Sequence, residues 1–171
     1  RNELIITSNY TFIATINSII HCGHKPWIFD VEDKYFSIDF DKLEKTLRTE
    51  TYFKNGYTYN IHSNRKISCI LIVFFAGIMP DLNRLLKISR KYNLKTIIDC
   101  AGSFFTLVDN HNLLQKIDIA ITSFNGNKSI TAGSGGAIFS NKSKFAKIFN
   151  HLIDNSKINK TYAHLDFGFN F

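Results

Sequence analysis

The chain has 171 residues, 44% hydrophobic and 20% charged. This is ordinary globular composition, with length enough for a core that buries roughly 70% of the unfolded surface. No run approaches 18 apolar residues and no charged-then-apolar leader opens the chain, so neither a membrane span nor a secretory route is expected. The net charge of +7 favours a polyanion, but the lysines are scattered and no basic stripe interleaves with aromatics. Nucleic acid is therefore not an expected partner, and a phosphate-bearing small ligand suits the charge as well.

Leu4 to Thr7 reads as a short buried strand. Ile13, Ile16, Ile19 and Ile20 then recur at helical spacing, with Gly23 placed to end the helix. His21, Cys22 and His24 fall in this helix end without a fourth ligand at finger-like spacing, so no metal is expected. Pro26 to Val31 is the next strand, and Asp39 can cap a helix whose apolar face is Phe40, Leu43 and Leu47. From Thr51 to Lys66 the pattern changes: Asn55-Gly56 between aromatic runs predicts a hairpin, an excursion from the main fold.

Ile67 to Phe75 is nearly all apolar and suits a strand covered on both faces. Leu82, Leu85, Leu86, Ser89 and Tyr92 mark a helix with Asp81 near its start, and Thr96 to Asp99 is a strand ending in a carboxylate. Ile117 to Thr122 and Gly136 to Ser140 are two more strands. Phe145, Ile148, Phe149, Leu152 and Ile153 mark a helix capped by Ser140 or Asn141. Strands alternating with helices predict an α/β domain with a mostly parallel sheet. Cys22, Cys69 and Cys100 are odd in number and each lies beside apolar residues, so buried thiols in a reducing, cytoplasmic setting are expected rather than disulfides.

In such sheets, ligands bind at the carboxyl ends of strands. Asp99 and Lys128 both stand there, the lysine in a polar turn, Ser123 to Lys128, between two apolar runs. Lys128 alone is open between a solvated turn lysine and a desolvated amine able to act as a nucleophile. Asp99 is open between a turn-capping carboxylate and one held for a cation. Gly133-Ser134-Gly135-Gly136 precedes a strand rather than a helix, the wrong setting for a dinucleotide loop.

Together these residues resemble the nucleotide-sugar aminotransferases of the DegT/DnrJ type: an acidic strand end, a lysine in an SF…K turn, then a GGAI strand. Thr11-Phe12-Ile13-Ala14-Thr15, Cys22-Gly23-His24-Lys25-Pro26, Phe29-Asp30-Val31 and Asn93-Leu94-Lys95 follow in the family's order. The string SFNGNK and the Asn55-Gly56 excursion are most similar to the branch serving legionaminic-acid and related bacterial sugar pathways.

The resemblance implies an aspartate-aminotransferase-like three-layer α/β large domain that uses pyridoxal phosphate. It implies transfer of an amino group from glutamate to a 4-keto-6-deoxy nucleotide sugar for surface glycans, in a cytoplasmic homodimer. It implies that Lys128 carries the cofactor covalently and moves the proton, and that Asp99 pairs with the pyridine nitrogen. It further implies that Ser123 binds the phosphate, that Phe12 stacks on the ring (its alternative is ordinary core), and that Asn170 reaches the phosphate of a partner subunit.

The chain departs from the family pattern in several places. Phe74 stands for a histidine, Ile98 for a glutamate, Gly102 for a glutamine or glutamate, and Ile117 and Ala120 for glycines. The family's small-residue phosphate turn and its C-terminal small domain are not found, so residues 1–171 are expected to be a partial large domain, a fragment lacking both ends. The alternative is a degenerate, non-catalytic remnant of such an enzyme.

Overall fold

The structure, a computed structural model, describes residues 2–153. The elements follow in the order β1 (Leu4–Ser8), α1 (Ile13–His21), β2 (Lys25–Phe29), α2 (Phe40–Glu50), β3 (Thr51–Lys54), β4 (Tyr57–Asn60) and β5 (Lys66–Val73). Then come α3 (Leu82–Lys91), β6 (Lys95–Asp99), α4 (Phe104–Asp109), β7 (Ile119–Ser123), β8 (Gly136–Phe139) and α5 (Ser143–Ile153). Short 3-10 turns lie at Phe75–Gly77 and His111–Gln115.

The main sheet runs β2-β1-β5-β6-β7-β8. It is parallel from β2 to β7, and β8 returns antiparallel to β7. Alternation sorts the side chains onto two faces. Leu4, Ile6, Ile67, Ile70, Ile72 and Ile98 pack with α2, α3 and Leu107 of α4. Ile5, Cys69 and Leu71 face the other way, against Ile19 of α1. The result is the expected α/β arrangement of helix, sheet and helix.

Local chemistry fixes the helix starts. The Asp39 carboxylate accepts from the backbone N–H groups of Asp41 and Lys42, and Asp81 does the same for Arg84. Phe40, Leu43 and Leu47 are buried along α2 as their spacing predicts. The β3–β4 hairpin forms on Asn55 and Gly56, whose φ angles of 51° and 81° are those of a two-residue type I′ turn. It pairs through β4 with the start of β5, at the end of the sheet opposite Asp99.

Three expectations need correction. Cys22 is exposed, because α1 ends there and only Cys69 and Cys100 lie under the sheet's helices. Ile13 and Ile20 of α1 are exposed, and Thr15 and Ile19 carry the buried stripe instead. The segment after Asp99 is helical over α4 and the 3-10 turn that follows, where no helix was expected; six residues give under two turns of periodicity.

Asp118, 7% exposed, ties the amino ends of β6 and β7 together. It accepts from the Thr96 backbone N–H at 2.9 Å and the Thr96 hydroxyl at 3.2 Å, pairs with Lys142, and has Lys95 at 3.8 Å. Burial pushes its carboxyl up, but the Lys142 and Thr96 hydrogen bonds outweigh that and hold it below the usual carboxylate range. A carboxyl lowered on folding stabilises above its unfolded pKa of about 3.9, and the contribution fades as pH falls through the folded value. Asp118→Asn is expected to cost roughly 1–3 kcal/mol at neutral pH and to flatten the acid limb of stability below about pH 4, checked by urea unfolding across pH.

Candidate functional site

The carboxyl ends of β1, β5, β6 and β7 form one rim of the sheet. Register places Asp99 between Val73 of β5 and Ile121 of β7. Its side chain is on the α1 face, since Ile98 faces the opposite core. Asp99 is 9% exposed. One carboxylate oxygen accepts from the Ala101 backbone N–H at 3.0 Å, and the other from the Thr15 hydroxyl at 2.8 Å. Among the described residues no lysine, arginine or histidine lies within 4.0 Å of it.

Phe12 caps the start of α1 in extended conformation and is 73% exposed. The ring lies outside the core of the described residues. The Lys128 ammonium lies 5.9 Å from the Phe12 ring centroid, within the range of a cation–π contact. Lys128 is half-buried. Ser123 ends β7, half-buried, with its hydroxyl oxygen 3.3 Å from the Asn125 backbone N–H and its own hydrogen available to donate. The structure therefore brings Phe12 and Lys128 together and links Asp99 to the helix that Phe12 caps. Asn170 falls outside the described residues.

The lysine loop is stitched at its neck. Phe124 N–H donates to the Gly135 carbonyl at 2.8 Å, and Ala132 N–H donates back to the Phe124 carbonyl at 2.9 Å. Phe124 packs edge-on against Phe104 of α4, ring centroids 6.0 Å apart. Gly135 has φ of 99°, open to glycine at little cost, and a Cβ on Gly136 would stand 2.5 Å from the Thr122 carbonyl oxygen. β8 can follow β7 this closely only as glycine at that point. Cys100, next to Asp99, is buried; burial first, then the neighbouring carboxylate, pushes its thiol up to about 12, so it stays protonated.

Sequence reasoning missed two features of this rim. Thr15 is one; its hydroxyl accepts from that of Thr11, which precedes the helix cap, a contact that no sequence period announces. The other is an aromatic cluster of partly exposed rings. Tyr10 lies 4.6 Å from Phe75 and 5.9 Å from Phe36. Phe36 sits at φ of 51°, a left-handed conformation uncommon for a bulky residue, which no sequence pattern announced.

Comparison with known proteins gives a consistent picture. The profile described as "DegT/DnrJ/EryC1/StrS aminotransferase family" matches residues 1–171. A GDP-perosamine synthase of Caulobacter vibrioides is 30% identical over 142 residues, 83% of this chain and 34% of that protein. A UDP-4-amino-4,6-dideoxy-N-acetyl-beta-L-altrosamine transaminase of Campylobacter jejuni is 27% identical, covering 95% of this chain and 38% of its own length. The chain thus spans about a third of the curated relatives it matches. Among solved structures, NtdA of Bacillus subtilis with bound cofactor PMP superposes with a TM-score of 0.77 at 24% identity, over 99% of this chain and 35% of that one. This likeness establishes the fold.

Gly136→Ala is expected to push β8 off β7 and cost about 1–3 kcal/mol. Gly126→Ala, in open space within the same loop, is expected to change stability by less than about 0.5 kcal/mol. Urea titration of the two variants against the parent checks the pair.

Proposed function

The chain belongs to the DegT/DnrJ/EryC1/StrS aminotransferase family, and from that premise we propose that it forms part of the cofactor-binding large domain of a pyridoxal-phosphate-dependent nucleotide-sugar aminotransferase. The observation that carries this reading is Asp99: a carboxylate almost shielded from water, held by two donors, with no cation near it among the described residues. Such a group is built to receive a cation from outside, and a protonated pyridine nitrogen is one. An exposed aromatic face at Phe12, with an amine 5.9 Å from it, fits the flat ring and the aldehyde of the same cofactor. The Ser123 hydroxyl fits one phosphate oxygen.

When bound, the protonated ring supplies an electron sink for charge that develops on the amine-bearing carbon. The chain's residues have complementary tasks. Asp99 accepts the ring N–H and keeps that nitrogen protonated. Phe12 stacks on one ring face and excludes water from it. Lys128 Nζ would hold the cofactor covalently and would serve as the amine that carries a proton at the reacting carbons. Ser123 donates to the phosphate. The family resemblance assigns Asn170, which lies outside the described residues, to the phosphate held by a second copy of the chain, and the working unit proposed on that ground is a homodimer.

The proposed substrates are a 4-keto-6-deoxy nucleotide sugar as acceptor and glutamate as donor, in cytoplasmic synthesis of surface glycans; relatives named GDP-perosamine synthase and 4-amino-4,6-dideoxy-sugar transaminase support the acceptor class. SFNGNK and the β3–β4 hairpin support the branch that serves legionaminic-acid and related sugars.

Borohydride reduction after addition of pyridoxal phosphate is expected to fix the cofactor on the peptide that contains Lys128, read by mass spectrometry. An adduct of equal yield in Lys128→Ala overturns the assignment. Phe12→Ala is expected to weaken cofactor binding about tenfold while stability moves by less than about 0.5 kcal/mol, because the ring is already exposed.

A further inference from the structure

We propose that Thr15 is the positioning residue that orients Asp99 toward the cofactor's ring nitrogen; this rests on the reading of Asp99 given above. Thr15 is 5% exposed, one turn into α1. Its hydroxyl stands 2.8 Å from one Asp99 oxygen, across 84 residues of sequence. An ionised carboxylate has no hydrogen to give, so the hydrogen of this bond belongs to Thr15. The Thr15 oxygen then accepts from the Thr11 hydroxyl at 2.9 Å. The chain of donors therefore has a fixed direction, from Thr11 through Thr15 to Asp99.

The second carboxylate oxygen is held by the Ala101 N–H at 3.0 Å. The terminal torsion of an aspartate is soft and roughly two-fold, so one donor leaves the carboxylate plane free to turn. Two donors, one on each oxygen and from different elements, fix it. The Ala101 bond is local to the Asp99 turn, whereas the Thr15 bond comes from another helix. Thr15 N–H also bonds the Phe12 carbonyl at 3.0 Å. The residue that aims the carboxylate is thus built into the same turn that presents the stacking ring. One turn of α1 sets both the plane of the cofactor and the direction of its nitrogen.

The test uses two ligands that differ at one atom: pyridoxal phosphate and its 1-deaza analogue, in which C–H replaces the ring nitrogen. Dissociation constants are measured in the full-length protein by fluorescence quenching. The parent is expected to prefer the nitrogen-bearing ring by about tenfold. Thr15→Val keeps the side-chain volume and removes the hydroxyl. It is expected to shrink that preference to about twofold, with the loss confined to the nitrogen-bearing ligand. Thr15→Ser is expected to restore it.

A preference unchanged in Thr15→Val overturns the proposal. So does an equal loss for both ligands, which marks a packing role. Should Thr15→Val fail to fold, Thr15→Cys, with a weak S–H donor, is expected to give an intermediate preference, and a full parental preference there overturns the proposal too. A parent that binds both rings equally refutes the pairing of Asp99 with the nitrogen, and the role of Thr15 falls with it. A parent that discriminates alongside a Thr15→Val variant that discriminates as well refutes Thr15 alone.

Discussion

A carboxylate at the end of a buried strand must be given donors before the strand can end there. Asp99 meets that constraint with one donor from its own turn and one from α1. The second bond joins the first helix of the chain to the middle of the sheet. It fixes where α1 begins relative to β6, and hence where Phe12 stands. The pairing of Asp99 with Val73 and Ile121 then places the same carboxylate on the rim shared by β5 and β7. The lysine loop leaves from that rim. Geometry at the candidate site is in this sense an outcome of satisfying one buried charge.

The parts of the fold legible in the sequence were those with strong local chemistry. Asp39 and Asp81 announced their helices because an aspartate before an apolar periodic run has N–H groups to accept from. Asn55-Gly56 announced its hairpin because few other pairs adopt two left-handed conformations in succession. The parallel order of the inner strands followed from the helices between them. The short helix after Asp99 was not legible, since so few residues carry no clear period. Nor was the exposure of Cys22, Ile13 and Ile20, because apolar neighbours in sequence do not say which side of a helix is covered.

The candidate site residues were proposed for a different reason. Asp99, Lys128, Ser123 and Phe12 stood out through their order along the chain and their resemblance to one family, with Asp99 and Lys128 already marked by their places at strand ends. What that order could not supply was contact. Thr15 is as near in sequence to Phe12 as many silent residues, and only the fold shows that its hydroxyl meets Asp99. The cluster of Tyr10, Phe36 and Phe75 is likewise assembled from three separate connections after strands.

The stitched neck of the lysine loop has an entropic meaning. A long side chain on a free loop must give up backbone and rotamer freedom each time it engages a ligand, and that loss subtracts from affinity. Between Phe124 and Gly135 the loop is already closed by main-chain bonds, and its ends are clamped by two antiparallel strands. Lys128 thus rides on a segment whose ordering was settled when the sheet formed. For the binding role proposed for Lys128, the backbone share of that loss is already met, and side-chain rotamer freedom is the entropic cost that remains.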